Sequence, residues 1–202
     1  MPNDDRKKEA LESAIDYRVY SKKELDQELR QAEIISDLIQ HRYDSELDEV
    51  KAEFHRYVIV VTQDCDLLQD YKDQLNNVLL YKAEPASDVR TMVPPGSDIW
   101  KRIIQNKDER YHLLEAIGTE DDCVGKGVPA LIIDFRRFFT LPAVEVYRQF
   151  ARLDGAKRRC RLEMPYREHF QVRLAFYFQR VMIPEPHKHE KLTKALPGPK
   201  AG

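Results

Sequence analysis

The chain has 202 residues, 42% of them hydrophobic and 34% charged, and a formal net charge of −2, which allows one ordinary domain or one domain with an appendage. No stretch approaches the about 18 consecutive apolar residues of a spanning helix, and residues 1–5 lack the apolar run of a secretion signal. Three scattered cysteines, Cys65, Cys123 and Cys160, argue against a disulfide framework and for a reducing, cytoplasmic setting.

The near-neutral total hides a split. Residues 1–54 hold nine Lys/Arg against fifteen Asp/Glu, and residues 136–181 hold eleven against four. Opposite charges at the two ends either meet each other or meet different partners, a protein or a phosphate backbone.

In chain order, residues 4–32 read as helical. Ser21 and Glu24 have capping-box spacing, and Leu25 and Leu29 form a narrow i, i+4 stripe along a helix over 22–31. Such a stripe suits docking rather than a core, so the segment reads as an appendage. Residues 34–39 are a short apolar strand, 41–54 a polar loop or short helix, and 57–62 the clearest strand, apolar enough for burial on both faces. Residues 77–81 form the next strand before Pro85, Pro94, Pro95 and Gly96 break the chain. Ser97 caps a short helix carrying Ile99, Trp100, Ile103 and Ile104. Strands follow over 110–114 and 130–135, the latter continued or followed by 138–141. Pro142 starts a short helix to Phe150. Pro165 opens a last helix on which Tyr166, Phe170, Leu174 and Phe178 recur at i+4 as a core-facing stripe. Beyond residue 184 the pattern lapses into a disordered tail. Irregularly spaced strands with few helices do not make alternating βαβ units; a small, mostly antiparallel barrel with helical additions fits better.

Several side chains are candidates for chemistry. In Asp64-Cys65-Asp66 the carboxylates bind loop amides and Cys65 packs as a small hydrophobe, or Cys65 is a nucleophile paired with His112 or His169. The flanking carboxylates oppose the thiolate that a nucleophile needs. On an extended segment Asp64 and Asp66 share one side, and with Asp134 they are weak candidate ligands for a hard divalent cation. Zinc lacks paired sulfur or imidazole ligands within the folded region. Gly125-Lys126-Gly127 lacks the spacing and setting of a phosphate loop, so no cofactor is expected. The run Lys157-Arg158-Arg159-Cys160-Arg161, with Arg148, Arg152, Arg167 and Arg173 nearby and Tyr147 and Tyr166 available to stack, is the best nucleic-acid candidate.

Taken together, Thr62-Gln63-Asp64-Cys65-Asp66-Leu67, the segment 106–112, Ile133-Asp134-Phe135 with the segment 138–142, and Pro165-Tyr166-Arg167-Glu168-His169 resemble a poorly characterised bacterial family over residues 30–184. The order of elements is also similar to the SH3-like barrels of the MazF/PemK toxin group, which includes sequence-specific endoribonucleases and regulatory relatives. The nuclease members carry an arginine beside a proline in the strand matching 57–62 and a Pro-x-Thr-Ser phrase after the next strand. Here Arg56 precedes Tyr57, and Leu80 is followed by Tyr81-Lys82-Ala83-Glu84-Pro85, without Thr or Ser.

The resulting expectation is an α+β chain. Residues 1–32 form a helical acidic appendage, 33–183 a MazF-like, SH3-like β-barrel closed by an amphipathic helix, and 184–202 the tail. Its function reads as non-catalytic and regulatory, in a bacterial stress or antiviral defence system. It would bind a protein partner through Leu25, Leu29, Arg158, Arg159 and Arg161. The alternatives are an endoribonuclease with a rearranged site drawn from Arg56, Asp64, His112 and the 157–161 run, contacting RNA through 148–173, or an enzyme dependent on Cys65.

Overall fold

The computed structural model describes residues 18–22, 25, 28–70 and 75–179. Among these the elements run β1 (Tyr20–Ser21), β2 (Glu33–Asp44), β3 (Glu49–Val60), α1 (Asp64–Asp70), β4 (Asn77–Pro85), α2 (Ala86–Met92), α3 (Asp98–Ile104), β5 (Tyr111–Leu114), β6 (Leu131–Pro142), α4 (Ala143–Phe150), β7 (Lys157–Leu162) and α5 (Tyr166–Gln179).

The expected SH3-like barrel is not what forms. The seven strands make one antiparallel sheet in the order β1-β7-β2-β3-β4-β6-β5, and its two ends, β1 and β5, do not pair, so the sheet stays open. The physical reason lies in the strands themselves. Successive strand side chains point to opposite faces, and here both faces are apolar. Ile34, Ile59, Tyr81, Ile133 and Phe135 fill one side, where Phe170 and Leu174 of α5 pack on them. Ile35, Val58, Val60, Val78 and Leu80 fill the other, covered by Leu67 of α1 and Val146 of α4. Val89 of α2 and Ile103 of α3 close over Ile132 on that same side. Helices bury both faces, and the sheet has no need to curl onto itself. No helix among the described residues is long and apolar enough to cross a membrane.

Several local expectations change with the architecture. Residues 41–54 are neither loop nor helix; they are the distal part of a hairpin in which Ile34 pairs with Ile59 and Asp44 with Glu49. Ser21 is in β1, opposite Arg161, and Glu24 lies outside the described residues. The described parts of the expected 22–31 helix, Lys22, Leu25 and 28–31, are turn and irregular chain; residues 1–17 and the tail from 184 lie outside the description. Residues 157–161, read as a charge run, are strand β7. Of the stripe expected on the last helix only Phe170 and Leu174 face inward; Tyr166 and Phe178 are exposed, as are Val172 and Phe176, so the helix is not amphipathic.

Candidate functional site

The phrases that stand out in the sequence meet at one corner of the sheet. Strand β3 ends at Val60, and Gln63 opens α1 by accepting the amides of Asp66 (3.0 Å) and Leu67 (2.9 Å). Asp64 thus lies in the first turn of a helix and not in an extended segment, which removes the geometry that would have set it beside Asp66 as a cation ligand. Its carboxylate accepts from the Gln31 amide at 2.8 Å, from Arg161 Nη2 at 3.0 Å and from Arg167 Nη1 at 3.5 Å. Gln31 donates from Nε2 to the Val61 carbonyl at 2.9 Å and accepts from Gln171 of α5. One carboxylate therefore ties together the chain entering β2, strand β7 and helix α5.

Cys65 is exposed, with Sγ 3.6 Å from Gln63 Oε1 and 3.9 Å from Asp66 Oδ1. Among the described residues no hydrogen bond joins it to a histidine. Beside it an open groove of about 620 Å³ is lined by Gln63, Asp66, Asn77, Leu79, Leu174 and Phe178. His112 is buried in β5, its ring 5.6 Å from His169 and 5.2 Å from Phe170, and its Nδ1 has no partner. Burial, reinforced by the Arg173 cation and by His169, holds its pKa down to about 3. Arg56 is exposed and lies over the Tyr57 ring at 5.6 Å. The expected catalytic constellation of Arg56, Asp64, Cys65 and His112 is thus distributed among separate partners.

The three arginines of β7 point to three different carboxylates. Arg158 forks onto Glu33, Nε at 2.7 Å and Nη2 at 2.6 Å; burial pushes the Glu33 carboxyl up despite that fork. Between β2 and β7 the register shifts so that Ile34 faces Cys160 while Ile35 faces Arg158, leaving Arg159 as the extra residue of a bulge. Arg159 lies over the Tyr57 ring at 5.9 Å and forks onto Asp122, Nε at 2.7 Å and Nη2 at 2.6 Å, and also reaches the Gly127 carbonyl at 2.8 Å. Arg161 completes the set on Asp64. Of the other basic candidates, Arg173 donates to the Asp108 and Tyr111 carbonyls, Arg148 pairs with Glu145 at 2.9 Å, and Arg152 is exposed with its carbonyl accepting the Gly155 amide at 3.1 Å. Tyr147 accepts the Leu29 amide at 3.1 Å, while Tyr166 is exposed. Leu25 and Leu29, expected on a docking stripe, are buried; Leu29 packs with Ile35, Val58 and Leu67.

Asp134, the third candidate ligand, is taken by Arg110 and also accepts the Arg136 amide at 3.1 Å. Burial alone would raise its pKa, but the Arg110 fork outweighs that and holds it below the usual carboxylate range. Among the described residues no group of three or more His, Cys, Asp or Glu side chains converges as metal ligands do. A smaller cleft that the sequence reading missed lies beside this pair. It has about 140 Å³ of space between Lys82, Glu84, Arg110, Asp134 and Arg137, over Val89 and Ile132. The alternation of Lys82 and Glu84 with Tyr81 and Ala83 along β4 was its only signal in the sequence.

Comparison of the chain with protein-family models, with curated proteins and with solved structures finds no match.

Proposed function

We propose that this chain is a non-catalytic interaction protein whose partner is another protein. The observation that carries the reading is the set of apolar side chains that α5 leaves exposed. Phe170, Leu174 and Tyr177 face the sheet, yet Val172, Phe176 and Phe178 remain exposed, Phe176 by 64%. Exposed apolar side chains on the outward side of a helix mark an interaction site, and aliphatic and aromatic groups suit a protein surface better than a phosphate backbone. The arginines that had suggested RNA support the same reading, because Arg158, Arg159, Arg161 and Arg167 are each committed to carboxylates of this chain.

The test is affinity purification of the tagged chain from its native host beside a Phe176→Glu variant with an unchanged circular dichroism spectrum. A stoichiometric protein that accompanies the wild type and is lost from the variant is expected. Retention by the variant, or recovery of nucleic acid alone, would overturn the proposal.

A further inference from the structure

Strands β2 and β3 are twelve residues each and pair with one another along nearly their full length. Their other neighbours are short. β7 reaches β2 only over 33–36, and β4 reaches β3 only over 58–60. From residue 37 to 57 the hairpin stands out with no strand on either side among the described residues. Along this stretch Gln149 of α4 accepts the Ile39 amide at 2.8 Å and donates to the Ile39 carbonyl at 2.7 Å, and His55 stacks on Phe139 of β6 at 4.3 Å. A two-stranded ribbon alone in water is marginal, so its faces decide its fate.

Directly opposed residues of an antiparallel pair share a face. One face carries the pairs Gln40/Glu53, Arg42/Lys51 and Asp44/Glu49. It satisfies itself through Lys51–Asp44 at 2.6 Å, Arg42–Glu53 at 3.5 Å and a Lys82–Glu53 contact from β4. The other face carries Ile39/Phe54, His41/Ala52 and Tyr43/Val50. There Phe54 is 60% exposed, Val50 66% and Tyr43 64%, with Leu47 exposed at the turn. With about 150–250 Å² for a whole aromatic side chain, these four expose roughly 500 Å² of apolar surface.

We propose that this apolar face of the hairpin packs against the same face of a second copy of the chain, the two arms antiparallel about a two-fold axis. Two arms contribute roughly 1,000 Å² of apolar area, and backbone and rim atoms bring the total near the about 1,200 Å² at which specific interfaces begin. The residue order is self-complementary, as a two-fold interface requires. An axis through the His41/Ala52 row lays each strand over its own counterpart. The Ile39/Phe54 row then meets the partner's row of Tyr43 and Val50, so that Ile39 covers an aromatic ring and Phe54 covers an aliphatic side chain. The small Ala52 at the centre permits close approach. The acidic residues of the turn, Glu46 and Asp48, go to opposite ends of the interface. This pairing is independent of what α5 binds.

Sedimentation equilibrium of the full chain from about 1 to 200 μM tests it. A reversible dimer is expected, weakened roughly tenfold or more by Phe54→Asp, which sets a charge against an apolar side chain of the facing arm. Lys51→Gln, on the opposite face, should leave the dissociation constant within about threefold. Circular dichroism shows whether either variant has lost the fold, and Val50→Asp serves in place of Phe54→Asp if it has. A wild-type monomer at 200 μM overturns the proposal. In that case slow amide exchange over 39–44 and 49–54 would mean that the chain covers its own arm, and fast exchange would assign the face to a different molecule. A dimer indifferent to both apolar-face variants overturns it equally.

Discussion

Replacing Arg159 by methionine tests whether the basic run of β7 holds the fold together or serves a ligand. Asp122 is buried and accepts four hydrogen bonds, two from the Arg159 fork and one each from the amides of Val124 (3.1 Å) and Lys126 (3.0 Å). Burial by itself would raise the Asp122 pKa; the arginine and the two amides outweigh it and hold the carboxyl below its ordinary value. Methionine fills much of the volume but strands the carboxylate with two donors and no counter-charge. Breaking a buried pair from one side costs about 3–5 kcal/mol, a large part of the about 5–15 kcal/mol that typically holds a domain folded. Removing the stranded charge should recover part of that loss, so Arg159→Met/Asp122→Asn should be more stable than Arg159→Met alone. A double-mutant cycle on the pair should give a coupling of at least about 1.5 kcal/mol. Urea unfolding at pH 7 and low temperature, followed by far-ultraviolet circular dichroism, measures all four proteins, with the slope unchanged between them. A loss below about 1 kcal/mol for Arg159→Met, together with weakened RNA binding, would refute the argument and give Arg159 to a ligand.

Stability should also fall on the acid side of pH 6.5. Burial first, then the neighbouring Lys82 cation, holds His55 at about 4, and burial with Arg173 holds His112 at about 3. Both are neutral when folded and protonate when unfolded, so their contribution is complete above the unfolded value near 6.5 and is lost as the pH drops towards 4 and 3. Each should steepen the decline by up to about 1.4 kcal/mol per pH unit, and a flat unfolding free energy between pH 6.5 and 5 would contradict this. Thiol labelling by iodoacetamide at pH 8 should modify the exposed Cys65 first and spare Cys160, whose thiol burial pushes far up, until the chain unfolds. Modification of Cys160 at the same rate in the native protein would show that β7 is not packed as described.

The sequence was most legible where apolar side chains run without a break. The strands read over 57–62, 77–81 and 130–135 fall on β3, β4 and β6, although β3 ends at Val60 and β6 begins at Leu131, and Pro142 and Pro165 do stand just before helices. The closure of the sheet was not legible, because an apolar run on two faces says that both are covered without saying by what. Short helices such as α1 and α2, seven residues each, carry too little periodicity to announce themselves as that cover. The hairpin arm had a signal that the charge of residues 41–54 masked: Val50, Ala52 and Phe54 alternate with Lys51 and Glu53, the period of a strand with one polar face. In β7 the alternation of Cys160 and Leu162 was equally present but was broken by the bulge at Arg159. At the Asp64 corner the motif residues do converge, but the link from Asp64 to Arg161 and Arg167 spans about half the chain and no local spacing encodes it.

The division of charge along the chain now has a physical outcome inside the fold. Glu33, from the acidic segment, receives Arg158, and Asp64 receives Arg161 and Arg167, so that cations of the basic segment latch β7 and α5 onto the start of β2 and the start of α1. Outside these latches one face of the hairpin and part of α5 expose apolar side chains. Association through such faces is driven by removing hydrocarbon from water and should hold or strengthen as sulfate is added. Binding to a phosphate backbone behaves in the opposite way, since each neutralised phosphate releases counterions and affinity falls steeply with salt. A salt titration of any complex this chain forms therefore separates the two by the sign of the slope. A decline of more than about tenfold between 50 and 200 mM salt would mean that cations outside the latches make the contact.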